Sequence, residues 1–227
     1  MEEERVSKLM ARRGLCSRRE AEQYMAEGRV RVDGALVTEQ GTKVPIHAKI
    51  TLDQEGLQRI TIALHKPLGF VSNLPQKNYS EAKELITPEN RYDQGPPVDP
   101  KSLHVVGRLD INSKGLLLFS SDGRIAKKII GPDSEVEKEY IVRFHHSIPE
   151  KAIQRLRFGL KLDGKPLKRA VIKRAGDRAL TFVLREGKNR QIRRMCDLVG
   201  LRVSSLKRVR IGKIQLGSLP VGQWMVV

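Results

Sequence analysis

The sequence predicts an α+β fold in two domains, and three observations carry that prediction. At 227 residues the chain holds either one sizeable domain or a small one joined to a larger one. Residues 5–37 read as helix, helix and hairpin in close succession, whereas from Ile60 strand-like apolar runs alternate with turns and short helices. Between them lies the polar connector Asp53-Gln54-Glu55-Gly56, too short for a long flexible linker, which divides the chain into residues 1–57 and 58–227.

The elements of the first domain follow from local signals. Val6, Leu9 and Met10 fall at helical spacing, and Gly14 can stop that helix. Ser17-Arg18-Arg19-Glu20 has the capping-box pattern, a hydroxyl that can cap the helix start and a carboxylate three residues later that can return to the chain. The helix it opens carries Ala21, Tyr24 and Met25 on one side and ends at Gly28. Arg29-Val30-Arg31-Val32 alternates as a strand, Asp33-Gly34 supplies a hairpin turn before Ala35-Leu36-Val37, and Lys49-Ile50-Thr51-Leu52 closes the module.

In the second domain, Ile62-Ala63-Leu64-His65 reads as a strand ending in the turn Lys66-Pro67-Leu68-Gly69, where Lys66 faces either a cleft or solvent. Asn73 to Ser102 is polar and broken by Pro75, Pro88, Pro96, Pro97 and Pro100, with only Glu81 to Ile86 helical in pattern. A loop of that length predicts either a mobile rim that orders on substrate or plain disorder. After Leu103-His104-Val105-Val106 comes Gly107-Arg108-Leu109-Asp110-Ile111-Asn112-Ser113-Lys114-Gly115, which sets an acid inside a basic chain. A strand over 115–119 follows, then a turn at Ser120-Ser121-Asp122-Gly123 and a helix over 124–130. Tyr140, Val142 and Phe144 share one face of a further strand. A helix over 190–199 takes Asn189 as cap and Gly200 as stop, with Ile192, Met195, Cys196 and Val199 as its stripe. Lys207-Arg208-Val209-Arg210-Ile211 alternates charge with apolar residues, so one face can pack while the other reaches a ligand. Trp224 reads as a lid on the core.

Composition points to the partner. Lysine and arginine total 43 against 26 acidic residues, a formal charge of +17, which favours a polyanion because neutralising phosphates dominates such affinity. Nucleic acid leads, with an anionic membrane surface as the weaker rival. No run approaches the roughly 18 apolar residues of a membrane span, and the charged Met1–Arg5 stretch is unlike a secretory signal, so a soluble cytoplasmic protein is expected. Cys16 and Cys196 lack metal-ligand or redox spacing and read as small apolar residues in helices; no metal or cofactor is expected. Basic side chains concentrate in two places. Arg5 to Arg31 holds eight against three acids, and Arg185 to Lys213 holds ten against Glu186 and Asp197. Lys161 to Arg178 is a further basic tract that reads equally well as a solvated hairpin.

Two resemblances sharpen this reading. Ser17-Arg18-Arg19-Glu20-Ala21 together with Gly28-Arg29-Val30-Arg31-Val32-Asp33-Gly34 resembles the S4 RNA-binding domain, which implies phosphate contacts at Arg12, Arg13, Arg18, Arg19 and Arg31. The ordered motifs Lys66-Pro67-x-Gly69, Val106-Gly107-Arg108-Leu109-Asp110, Ser113-x-Gly115-Leu116-Leu117, Val136-Glu137-Lys138-Glu139-Tyr140 and Glu186-Gly187-Lys188-Asn189-Arg190-Gln191-Ile192-Arg193-Arg194-Met195 resemble the RsuA-type ribosomal RNA pseudouridine synthases. That resemblance covers nearly the whole chain. It implies a catalytic domain built on a mixed, mostly antiparallel sheet with flanking helices, no cofactor, and isomerisation of uridine in ribosomal RNA.

By the same resemblance Asp110 is the nucleophile, Tyr140 stacks on the flipped uracil, and Arg193 lies against the carboxylate and keeps it ionised. Lys66, Arg108, Lys188, Arg190, Arg194, Lys207, Arg208 and Arg210 are then the RNA contacts of the catalytic domain. The 107–140 and 186–224 stretches are closest to different large-subunit branches, so 23S RNA stands ahead of 16S, with transfer RNA also open and a monomer expected. Two rivals are weighed. A non-catalytic RNA chaperone or assembly factor would use the same basic surfaces without needing Asp110, Tyr140 and Arg193 to converge. A hydrolase would need a second acid or base, and His65, His104, His145 and His146 form no recognisable constellation.

Overall fold

The protein's structure, a computed structural model, describes residues 2–227 except 58, 74–77 and 158. Gln58, the first residue of the expected second domain, and Pro75 of the expected loop lie outside the described residues.

The N-terminal module comprises β1 (Glu3–Arg5), α1 (Val6–Arg12), α2 (Arg18–Ala26), β2 (Val30–Val32), β3 (Ala35–Leu36), β4 (Lys43–Pro45) and β5 (Ile50–Leu52). The capping box forms in full: Ser17 Oγ accepts from Glu20 N at 3.2 Å, and Glu20 Oε2 accepts from Ser17 N at 2.6 Å. Asp33 and Gly34 both adopt positive φ, 49° and 88°, and turn β2 into β3. Val6, Leu9, Met10, Ala21, Tyr24, Met25, Val30 and Val32 close one small core, where each fully buried large apolar side chain contributes about 1.5–3 kcal/mol. Cys16 departs from expectation, lying in the bend between α1 and α2 rather than in a helix. Like Cys196 it is buried, and burial pushes both thiols up to about 12, so neither is a reactive thiolate.

The second part contains β6 (Thr61–Lys66), β7 (His104–Val106), β8 (Lys114–Ser120), α3 (Gly123–Ile130), β9 (Lys138–Phe144), α4 (Glu150–Arg157), the short hairpin β10 (Lys161–Leu162) and β11 (Lys165–Pro166), β12 (Val171–Gly176), β13 (Ala179–Leu184), α5 (Gln191–Leu198), β14 (Val203–Ile211), β15 (Ile214–Gln215) and β16 (Trp224–Val226). Among the described residues nine strands form one sheet, ordered β12-β13-β9-β14-β8-β6-β16, with β7 beside β8 and β15 beside β14. Every pairing is antiparallel except β14 with β8. β8 is apolar without alternation because both faces are covered. Leu117 and Phe119 join the larger core with Val142 and Phe182, while Leu116 and Leu118 join the opposite one with Ile129 and Ile211.

The module and the sheet meet at the start of α3. Gly123 N donates to Glu20 Oε1 at 2.8 Å and Lys127 Nζ to Ala11 O at 3.1 Å. The 78–102 segment also differs from the mobile rim or disorder expected of it. Ala82 and Ile86 are buried, Trp224 Nε1 donates to Thr87 O at 2.8 Å, Tyr92 N donates to Trp224 O at 2.8 Å, and the Arg91 guanidinium lies 5.1 Å from the Trp224 ring centroid. Proline density removes local hydrogen bonds, and partners distant in sequence replace them. Trp224 is buried, as a core lid should be.

Candidate active site

The loop between β7 and β8 is held almost entirely through its main chain. Ser72 Oγ donates to Leu109 O at 2.7 Å and accepts from Leu109 N at 2.8 Å. Ile111 O accepts from Gly69 N at 2.9 Å, Asn112 O from Arg193 Nη2 at 2.7 Å, and Ser113 N closes a turn onto Asp110 O at 3.0 Å. Arg208 spans the loop's two ends, donating from Nη1 to Arg108 O at 3.3 Å and from Nε to Leu116 O at 2.7 Å. Asp110 is half-buried at the centre of these attachments, and among the described residues its carboxylate makes no hydrogen bond or ion pair. The loop is fixed and its one acid is left free.

Arg193 reaches this loop from α5, but not in the way expected. Among the described residues it pairs neither with Asp110 nor with Asp197; it holds the Asn112 carbonyl instead, and its buried Nε has no partner. Burial lowers the pKa of the Arg193 guanidinium and nearby Arg190 adds to that, while the charge of Asp110 opposes it. The carboxylate is thus close enough to be felt without being paired. α5 also starts differently. Asn189 is not its cap; Arg190 takes that place in the left-handed region at φ 47°, and Gln191 Oε1 accepts from Lys188 N at 2.9 Å. Gly200 ends the helix at φ +76°, as expected.

Tyr140, Val142 and Phe144 do share the buried face of β9, and Tyr140 is the member nearest the loop's frame because it stands opposite Arg208 across β14. Arg208 in turn stands opposite Gly115 of β8. A methyl group on Gly115 would lie 2.2 Å from Arg208 O, so only glycine lets the two backbones approach this closely. The loop bearing Asp110 and the strand bearing Tyr140 are therefore both registered against Arg208.

Several expected RNA contacts have other occupations. Arg208 is 3% exposed, because the bulge in β14 between Arg208 and Arg210 and the carbonyls of the Asp110 loop draw it inward. Lys66 is wholly buried and donates to Pro67 O and Phe70 O, each at 2.8 Å; burial pushes its ammonium down to about 8, against the pull of Asp110. It is a scaffold of the turn at 67–70, so it neither lies at the surface nor reaches phosphate. Arg210 is paired with Glu139 and Glu137, Arg194 with Asp163, and Arg12 with Glu4, while Arg13 holds Ala48 O and Ile46 O. Arg18, Arg19 and Arg108 are exposed and unpaired among the described residues. Arg31 and Arg190 are exposed with single side-chain bonds, to Gly34 O and Asn112 Oδ1, and Lys188 and Lys207 are half-buried. Ser72 carried no readable signal, since its two bonds reach 37 residues along the chain.

A basic helical module is thus docked on a mixed sheet whose fixed loop presents one carboxylate without a bonding partner among the described residues. Residues 4–50 match the S4 domain, and residues 60–198 match the family described as RNA pseudouridylate synthase. The chain belongs to that pseudouridylate synthase family. It is 38% identical to ribosomal large subunit pseudouridine synthase B of Pasteurella multocida, over 99% of this chain and 67% of that protein, and 37% identical to the Pseudomonas aeruginosa protein of the same name, over 97% and 58%. It is 30% identical to the dual-specificity RNA pseudouridine synthase RluF of Escherichia coli K12, over 97% of this chain and 74% of that one. The chain thus spans little more than half of the Pseudomonas relative and about two thirds of the Pasteurella one. A crystal structure described as pseudouridylate synthase shares the fold, with a TM-score of 0.70 over 98% of this chain and 95% of that one at 24% identity.

Proposed function

We propose that this protein isomerises uridine to pseudouridine in ribosomal RNA, with Asp110 as the nucleophile. The carrying observation is the carboxylate itself, held by its loop's main chain and left without a protein partner. The reaction breaks the bond from uracil N1 to ribose C1′ and forms one from C5 to C1′. A proton leaves C5 and one is taken up at N1, so neither electrons nor a cofactor enter the balance. A carboxylate can serve at the sugar or at the ring as a covalent partner. Flipping the target base costs a few kcal/mol, least where it is unpaired. Stacking of the flipped base on Tyr140 rests on the family resemblance, since the ring itself is buried at 8% exposure, and Arg193 keeps a positive charge near the carboxylate.

Residues 1–57 and 58–227 act as RNA-gripping and catalytic domains. Of the cations expected at RNA, Arg18, Arg19, Arg31, Arg108, Lys188, Arg190 and Lys207 are neither fully buried nor ion-paired among the described residues and are available to phosphates. Large-subunit RNA is the substrate this reading favours, supported by the names of the relatives, and a ribosomal substrate sets the work in the cytoplasm. Every residue invoked comes from one chain, so a monomer suffices.

The test is tritium release from uracil C5, with 23S, 16S and transfer RNA offered separately as labelled transcripts. Release from 23S RNA is expected. Binding to all three with release from none would favour the non-catalytic chaperone instead.

A further inference from the structure

We infer that Arg208 is a positioning residue for this reaction, an arginine whose guanidinium sets Asp110 relative to Tyr140 rather than touching RNA; the inference rests on the function proposed above. Arg208 bonds the carbonyls of Arg108 and Leu116, which straddle Asp110 on both sides. No other described side chain holds both ends of that loop. Its backbone lies opposite Tyr140 on one side and Gly115 on the other, so a single residue ties the acid's loop to the aromatic's strand.

The arrangement is costly, which argues that packing alone does not explain it. A buried guanidinium with unfilled hydrogen-bonding capacity destabilises a fold, and Nη2 of Arg208 is buried without a partner. An apolar residue would fill this position at less cost. What only arginine supplies is a planar fork reaching two carbonyls in fixed directions.

Three full-length forms distinguish the possibilities: wild type, Arg208→Lys and Arg208→Met. Single-turnover tritium release from labelled 23S RNA, with enzyme in saturating excess, is followed beside filter-binding affinity for the same RNA. A misplacement of about 1 Å costs on the order of 100-fold in rate, so Arg208→Met is expected to slow by about that factor, with RNA affinity within about twofold. Lysine, able to replace one of the two bonds, should fall between. A purely structural role would raise the total enzyme needed to reach the saturated rate, because less of it is competent, and leave that saturated rate unchanged; that result overturns the inference. So does an affinity loss matching the rate loss, which would return Arg208 to the RNA interface. If the wild type itself releases no tritium, the proposed function has failed and the positioning role falls with it. If the wild type is active and Arg208→Met equally fast, only the positioning role has failed.

Discussion

Replacing Gly115 by alanine is the sharpest test of how the Asp110 loop is held. The new methyl would stand 2.2 Å from Arg208 O, 2.7 Å from Arg208 N and 3.0 Å from Arg208 C. These are backbone atoms of β14, which is bonded to β9 on its far side and cannot retreat without breaking that ladder. Overpacking of this kind costs about 1–3 kcal/mol. The φ of +109° adds about 1–2 kcal/mol of steric strain for a residue with a Cβ. Restricting the unfolded chain returns about 0.4–1 kcal/mol, leaving a net loss of about 1–4.5 kcal/mol. Gly69 is the control. It also has a positive φ, +84°, but a methyl there meets nothing within 4 Å, so only strain and the offset remain, a net of about 0–1.5 kcal/mol. Trp224 is the chain's single tryptophan and lies in β16 of the large sheet, so its fluorescence during denaturant unfolding reports this domain. For a chain of this size the Gly115→Ala loss corresponds to a fall of about 2–18 °C in melting temperature. If alanine at 115 costs no more than alanine at 69, the close approach of β8 and β14 is not what the structure says it is.

Other expectations can be checked with the same tools. Folded Lys66 releases its proton near pH 8 while the unfolded chain holds it to about 10.5. The unfolded state thus binds more protons across that window, and stability from this group rises with pH through it, by up to about 3 kcal/mol in total. Lys66→Met should flatten the wild-type rise between pH 8 and 10.5 in Trp224-monitored unfolding, and parallel curves would contradict the buried ammonium. Arg18→Glu with Arg19→Glu should weaken RNA binding and make the slope of log affinity against log salt shallower by about 1.4–1.8. An unchanged affinity would remove both arginines from the interface.

Much of the N-terminal module was legible because its signals are local. The capping box at Ser17 and Glu20 acts within one turn, and the Asp33-Gly34 turn is fixed by two residues' own backbone preferences. The shared face of Tyr140, Val142 and Phe144 follows from strand geometry alone. Where the reading went astray, a distant partner decided. Arg208 sits in an alternating basic stretch that looks solvent-facing, yet its ligands are carbonyls 92 and 100 residues away. The proline-rich 78–102 segment looks structureless, yet Trp224 supplies the donor and acceptor its own sequence lacks. Lys66 has no local signal of burial, since its partners are carbonyls of a turn that any residue provides. Resemblance set Arg193 against the Asp110 carboxylate, but the bond Arg193 makes, to Asn112 O, was visible only in three dimensions.

The central claim is that Asp110 does chemistry and nothing structural, and Asp110→Asn tests it directly. Because the carboxylate has no bonding partner among the described residues and acts on Lys66 and Arg193 only through its charge, an amide of the same shape should lower the melting temperature only slightly. Affinity for 23S RNA should also hold, since an acid contributes no attraction to phosphate. Tritium release from C5-labelled RNA should nevertheless fall to the enzyme-free background. Release by Asp110→Asn at the wild-type rate, from a protein equally stable and equally bound to RNA, would contradict the account.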